Sequence, residues 1–151
     1  MAGDPRPTGS YDGTAMTYED FVDAVARRAR LSRDDAMLAT ASTLAVLSER
    51  IGAGERQDLA SQLPRDLALA VRHDNHKGER FSLEEFLRRV AVREGRAPGD
   101  PAVRLHVWAV LATLRDAVGE GELRDVMAQL PKEFAQLLVK PPNPAFTLPA
   151  T

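Results

Sequence analysis

Apolar residues recur every three to four positions along most of this chain. Phe21, Val22, Val25, Ala26 and Ala29 form one such stripe, and Phe86, Leu87, Val90 and Ala91 form another. That spacing puts the apolar side chains on one face of an α-helix. Two longer stretches differ. Ala36 to Leu47 is almost all apolar or small, and Val103, Leu105, Val107, Trp108, Val110, Leu111, Leu114 and Val118 leave little room for a polar face. Helices of that kind belong in the middle of a fold. Short segments carrying Leu67, Leu69 and Val71, and Phe134, Leu137 and Leu138, complete an all-α pattern.

The polar residues between the stripes predict where helices begin and end. Thr17 is an N-cap with Asp20 three residues on, and Met16 and Phe21 sit as a hydrophobic staple. Ser32 caps the second helix, and Ser82 with Glu85 predicts a complete capping box, stapled by Phe81 and Phe86. Asp100 and Pro101 read as N-cap and first residue of the second long helix. Gly52 reads as the left-handed stop of the first, which runs to about Ile51.

One segment occurs twice. Gly52-Ala53-Gly54-Glu55 through Asp58 to Gln62-Leu63-Pro64 matches Gly119-Glu120-Gly121-Glu122 through Asp125 to Gln129-Leu130-Pro131. The offset is 67 here (Gly52 to Gly119) and 65 in the first stripe (Phe21 to Phe86). Gly, Glu, Asp, Gln and Pro recurring in register predict a duplication: two tandem pseudo-symmetric repeats of about four helices each, packed into one bundle-like domain. The expected divisions are a disordered tail over 1–15, repeat 1 over 16–71, a polar linker over 72–80, repeat 2 over 81–139 and a Pro-rich disordered tail over 140–151. Met16 competes with Met1 as the start of translation.

Composition narrows the function. Net charge is -2 with both signs interspersed, so no basic stripe marks a nucleic-acid footprint. Cysteine is absent, which removes disulfides, thiol catalysis and cysteine-ligated metals and fits the cytoplasm. No apolar run approaches the roughly 18 residues of a membrane span, and no signal peptide is evident. The excess of Arg over Lys and the abundance of Ala read as the bias of a GC-rich bacterial genome.

Candidate chemistry is sparse. No Ser sits in a nucleophile elbow, so no catalytic residue and no cofactor are expected. The Gly-x-Gly-Glu turn does not suit phosphate, because Glu55 and Glu122 already occupy the positive helix N-termini. His73 and His76 are the candidate metal ligands, short of the three or four that zinc requires. His106, Trp108 and the Phe residues read as core or near-core positions. Phe146 and Leu148 stand in the Pro-rich tail, where an extended peptide offers them to a groove. Glu55, Asp58 and Gln62 share one helix face, as do Glu122, Asp125 and Gln129. Those stripes are the candidate interaction surface, for a partner or a metal, against the plain reading of an ordinary polar helix face; they face either solvent or each other.

Tyr18-Glu19-Asp20-Phe21 and Leu83-Glu84-Glu85-Phe86 open the two halves, and Gln62-Leu63-Pro64 and Gln129-Leu130-Pro131-Lys132-Glu133-Phe134 close them. In these motifs, over about Met16 to Lys140, the chain resembles the bacterial family known as domain of unknown function 2267. The resemblance implies an all-helical duplicated fold and brings no activity, cofactor or site residue. The expectation is a non-enzymatic module that works through a protein partner or as a homodimer. The alternative is a small-molecule-binding protein or enzyme with a pocket between the repeats, lined by residues such as Asp58 and Asp125.

Overall fold

A computed structural model describes residues 16–71 and 78–139. Among these are seven helices and no strand: α1 (Tyr18–Ala29), α2 (Arg33–Arg50), α3 (Ala53–Ser61), α4 (Arg65–Val71), α5 (Leu83–Glu94), α6 (Ala102–Met127) and α7 (Glu133–Val139). None is long and apolar enough to cross a membrane. The readings for 1–15 and 140–151, and the candidates His73, His76, Phe146 and Leu148, lie outside the described residues.

The two apolar helices are central. α2 packs against α1, α4, α5 and α6, and α6 packs against α1, α2, α3, α5 and α7. Small buried residues on α2 (Ala36, Ala39, Ser42) allow its neighbours to approach. Around them lie Phe21, Leu44, Leu47, Phe86, Leu111, Leu114 and Phe134, all fully buried. Phe86 and Phe134 meet edge to face with centroids 5.0 Å apart, a favourable ring geometry. α1 packs against α6 as well as α2, and α5 against α2 as well as α6. The N-terminal and C-terminal halves therefore interlock.

The helix ends follow the capping residues, with three differences. Thr17 and Asp20 form the expected reciprocal box, at 3.1 and 3.0 Å. Ser82 Oγ accepts the Glu85 N–H at 3.1 Å, but the Glu85 carboxylate turns to Arg88 and Arg89 instead of back to Ser82. Two guanidinium donors outcompete one backbone amide. Gly52 is also not a left-handed stop: its φ is -74, and it is the N-cap of α3. Of the carbonyls such a stop would satisfy, Ser48 O is taken at 3.1 Å by Arg56, which is 3% exposed and also donates to Ile51 O at 2.8 Å. Finally, Gly78 and Glu79 are not free linker. The Glu79 N–H donates to Glu49 O at 2.8 Å, and a Cβ on Gly78 would stand 2.7 Å from the Ile51 carbonyl carbon. Only glycine lets the chain pass this close to the end of α2.

α6 is two helical arms across a kink. Gly119 has φ 85 and ψ 167, a region open essentially to glycine alone. The bend re-aims the arm that follows it, and α3 packs against α6. The two Gly-x-Gly-Glu segments meet there.

Candidate functional site at the α3 and α6 junction

Both doubled segments begin a short helical arm with a glutamate in its first turn. α3 carries Glu55, followed one turn on by Asp58, and the arm after Gly119 carries Glu122, followed by Asp125. The stripes face each other. One carboxylate oxygen each from Glu55, Glu122 and Asp125 lie within 4.8 Å of one another. Asp58 and Asp125 are exposed and Glu55 is half-buried. Glu122 is half-buried as a residue, with its side chain at the buried end.

The two glutamines cross the junction. Gln62 Nε2 donates to Glu122 Oε1 at 3.0 Å, tying the end of α3 to the α6 arm. Gln129 Oε1 accepts the Gly52 N–H at 2.9 Å, tying the end of that arm to the start of α3. All six residues of the expected interaction surface are thus brought to one place, though the two glutamines play different parts.

The electrostatics oppose ionisation of Glu122. Burial, then the adjoining Glu55 carboxyl, then the charges of Asp58 and Asp125 push the Glu122 carboxyl up to about 8. Oε2 of Glu55 and Oε2 of Glu122 are buried and no donor among the described residues reaches them. A proton held by Glu122 gives the pair one shared hydrogen bond, as two adjoining carboxyls require. No ion pair among the described residues involves Glu55, Asp58, Glu122 or Asp125.

A second polar cluster went unread in the sequence. His106 Nδ1 lies 2.8 Å from Glu94 Oε1, with both side chains buried at 4% and 2% exposed. Arg96 joins the same oxygen at 3.1 Å and reaches Asp100 at 3.2 Å. Asp100 in turn accepts the Ala102 N–H at 2.9 Å, which caps α6. The arrangement braces the α5–α6 turn. Glu94 carried no sequence signal, being one acid among many at a helix end. Arg56 did carry one: at the 67-residue offset it matches Leu123, an apolar slot.

The family described as an uncharacterized conserved protein (DUF2267) matches residues 18–137. Comparison with curated proteins gives no match.

Proposed function

The chain belongs to the family of uncharacterized conserved proteins DUF2267, and from that premise we propose a non-catalytic helical module of two tandem repeats whose working site is the acidic junction. The site receives a small cationic ligand. The repeat reading is supported by the register of the doubled segments and by paired lengths: α1 and α5 have 12 residues each, α4 and α7 have 7. The single observation carrying the ligand reading is the convergence of four carboxylates, two with buried oxygens that, among the described residues, meet no donor beyond the proton the pair itself holds. Buried acids without partners are costly to a fold. A cation from outside offsets that cost. The site lies between the two halves, where a pocket reading would place it, but it offers charge and not an apolar cavity.

Thermal melting against a panel of divalent ions and alkyl diamines tests this. At least one should raise the melting temperature by several degrees, since ligand at 100 times its Kd stabilises by about 2.7 kcal/mol. The Glu55→Gln/Glu122→Gln double variant should not respond. Indifference of the native protein to the whole panel would defeat the reading.

A cytoplasmic protein-interaction role, through a partner or a second copy, is the companion proposal. Large apolar side chains exposed on helices support it, among them Leu69 at 59% and Val92 at 57%. Light scattering after gel filtration, with Leu69→Ser and Val92→Ser, should show an assembly that the variants dissociate. A strict monomer that recovers no specific partner from native lysate ends it.

A further inference from the structure

The chemistry of the cationic ligand can be taken further, and the step rests on the junction being a cation receptor. Size comes first. Three ligand oxygens, from Glu55, Glu122 and Asp125, all lie within 4.8 Å of one another. A calcium-sized ion holds oxygens at about 2.3–2.6 Å, so oxygens on opposite sides of it stand about 4.6–5.2 Å apart. Three oxygens spread evenly around one such ion stand about 4.0–4.5 Å apart, so the spacing is compatible with one coordination sphere after side-chain adjustment. Magnesium dehydrates reluctantly and keeps several of its waters, so it suits an all-protein cage less.

The buried atoms supply a second and independent reason. An acidic patch on a helix surface is ordinary and needs no ligand. Here the Glu122 side chain is buried, and Gln62 holds its Oε1 at 3.0 Å. Its Oε2 and the Oε2 of Glu55 are both buried, and no other side chain among the described residues donates to them. Gln62 thus fixes the carboxylate with its buried oxygen inside the cluster. A hydrogen bond to the far oxygen of a ligating carboxylate fixes how that ligand faces its ion.

Charge and donor type then select the ligand. An ammonium brings one positive charge to four carboxylates, whereas a dication brings two at a single point. Oxygen donors without sulfur or imidazole favour calcium, manganese or magnesium over zinc and copper. We infer that the junction is a site for a hard divalent metal ion of calcium or manganese size, with Glu55, Glu122 and Asp125 as its protein ligands. Gln62 positions Glu122, and Asp58 adds outer charge. The ion ties α3 to the α6 arm.

Titration calorimetry on the chelator-stripped full chain at pH 7.5 tests this, with Ca2+, Mn2+, Mg2+ and 1,4-diaminobutane as separate titrants. Ca2+ or Mn2+ should bind one ion per chain. Glu55→Gln and Glu122→Gln should each weaken binding tenfold or more. Both substitutions relieve repulsion, so circular dichroism should show helix content unchanged. Asp34→Asn, an exposed acid at the start of α2, should leave binding as it was. Binding of the diamine without any metal would overturn the metal assignment and leave the cation receptor standing. Binding of no titrant would overturn both. Metal binding that survives Glu122→Gln would place the ion elsewhere and defeat the inference.

Discussion

Glu85 and Glu122 are the same residue type on neighbouring helices, and their carboxyls are driven in opposite directions. Glu85 lies in a lattice of arginines. Arg88 and then Arg89 hold its carboxyl down to about 2. Arg89 also reaches Glu49 and Glu79, each at 3.0 Å, and its guanidinium stands 3.9 Å over the Phe81 ring. Glu122 faces Glu55, Asp58 and Asp125, and its carboxyl is pushed up. In the arginine lattice Glu49, Glu79 and Glu85 each have a cation in the chain. Where the doubled segments meet, the described residues supply acids and a glutamine clamp but no cation paired with them. An acid cluster that the protein could have neutralised with one arginine, as it does 30 to 40 residues away in sequence (Glu85 to Glu122), is the region to probe for a ligand.

The largest effect should come from breaking the satisfied region. Arg89→Met keeps an apolar stem but removes the guanidinium. Glu79 then loses its partner, while Glu49 keeps Arg93 and Glu85 keeps Arg88. We expect a loss of about 1–3 kcal/mol, combining charge-assisted hydrogen bonds with the contact over Phe81. Urea unfolding at pH 7 measures it. A loss below about 0.5 kcal/mol would show the lattice to be surface decoration, as many exposed ion pairs are.

The next effect sets the two acids against each other by pH, in metal-free protein. Glu85 is depressed from 4.5 to about 2, so its contribution is present above 4.5 and is lost as pH falls toward 2. Glu122 is raised from 4.5 to about 8, so its contribution is present below 4.5 and is lost as pH rises toward 8. Melting temperature should therefore fall on both sides, from different regions. Glu122→Gln should flatten the alkaline limb only, raising the melting temperature at pH 9 by about 2–5 °C. Glu85→Gln should flatten the acid limb only. Either variant acting on the wrong limb would undo the contrast.

How much of this was legible in sequence differs between the two regions. The periodic stripes of α1 and α5 and the apolar runs of α2 and α6 announced an all-helical protein with two central helices. A break at Gly119 was visible because it opens the second Gly-x-Gly-Glu segment, in register with Gly52 at the end of the first long helix. The six junction residues were visible as two stripes, because the same polar types recurred at one offset. Their facing was not, since a stripe on one helix carries no information about the helix opposite. The arginine lattice was misread at Glu85, where a capping motif is local and Arg89 draws its partners from α2 and from Glu79. Arg56 stood out only as a break in the repeat, opposite Leu123; its acceptors were not legible, because those carbonyls lie across a turn, at the end of another helix.

The smallest effect separates the two glutamines, which sequence alone makes equivalent. Gln129 accepts a backbone N–H from Gly52, and both groups are neutral. Gln129 is exposed, so water can replace it. Gln129→Ala should lower stability by about 0.5–1 kcal/mol, equally at pH 5 and pH 9. Gln62 donates to the Glu122 carboxylate, and a donor favours the charged form over the protonated one. Gln62→Ala should therefore change little at pH 5, where Glu122 holds its proton, and more at pH 9, where the bare carboxylate has lost the donor that Gln62 supplies from the other arm. Urea midpoints of both variants at the two pH values distinguish these roles. A Gln62 effect that is flat across pH would mean that the residue merely braces the turn, and that the buried carboxylate is not oriented by it.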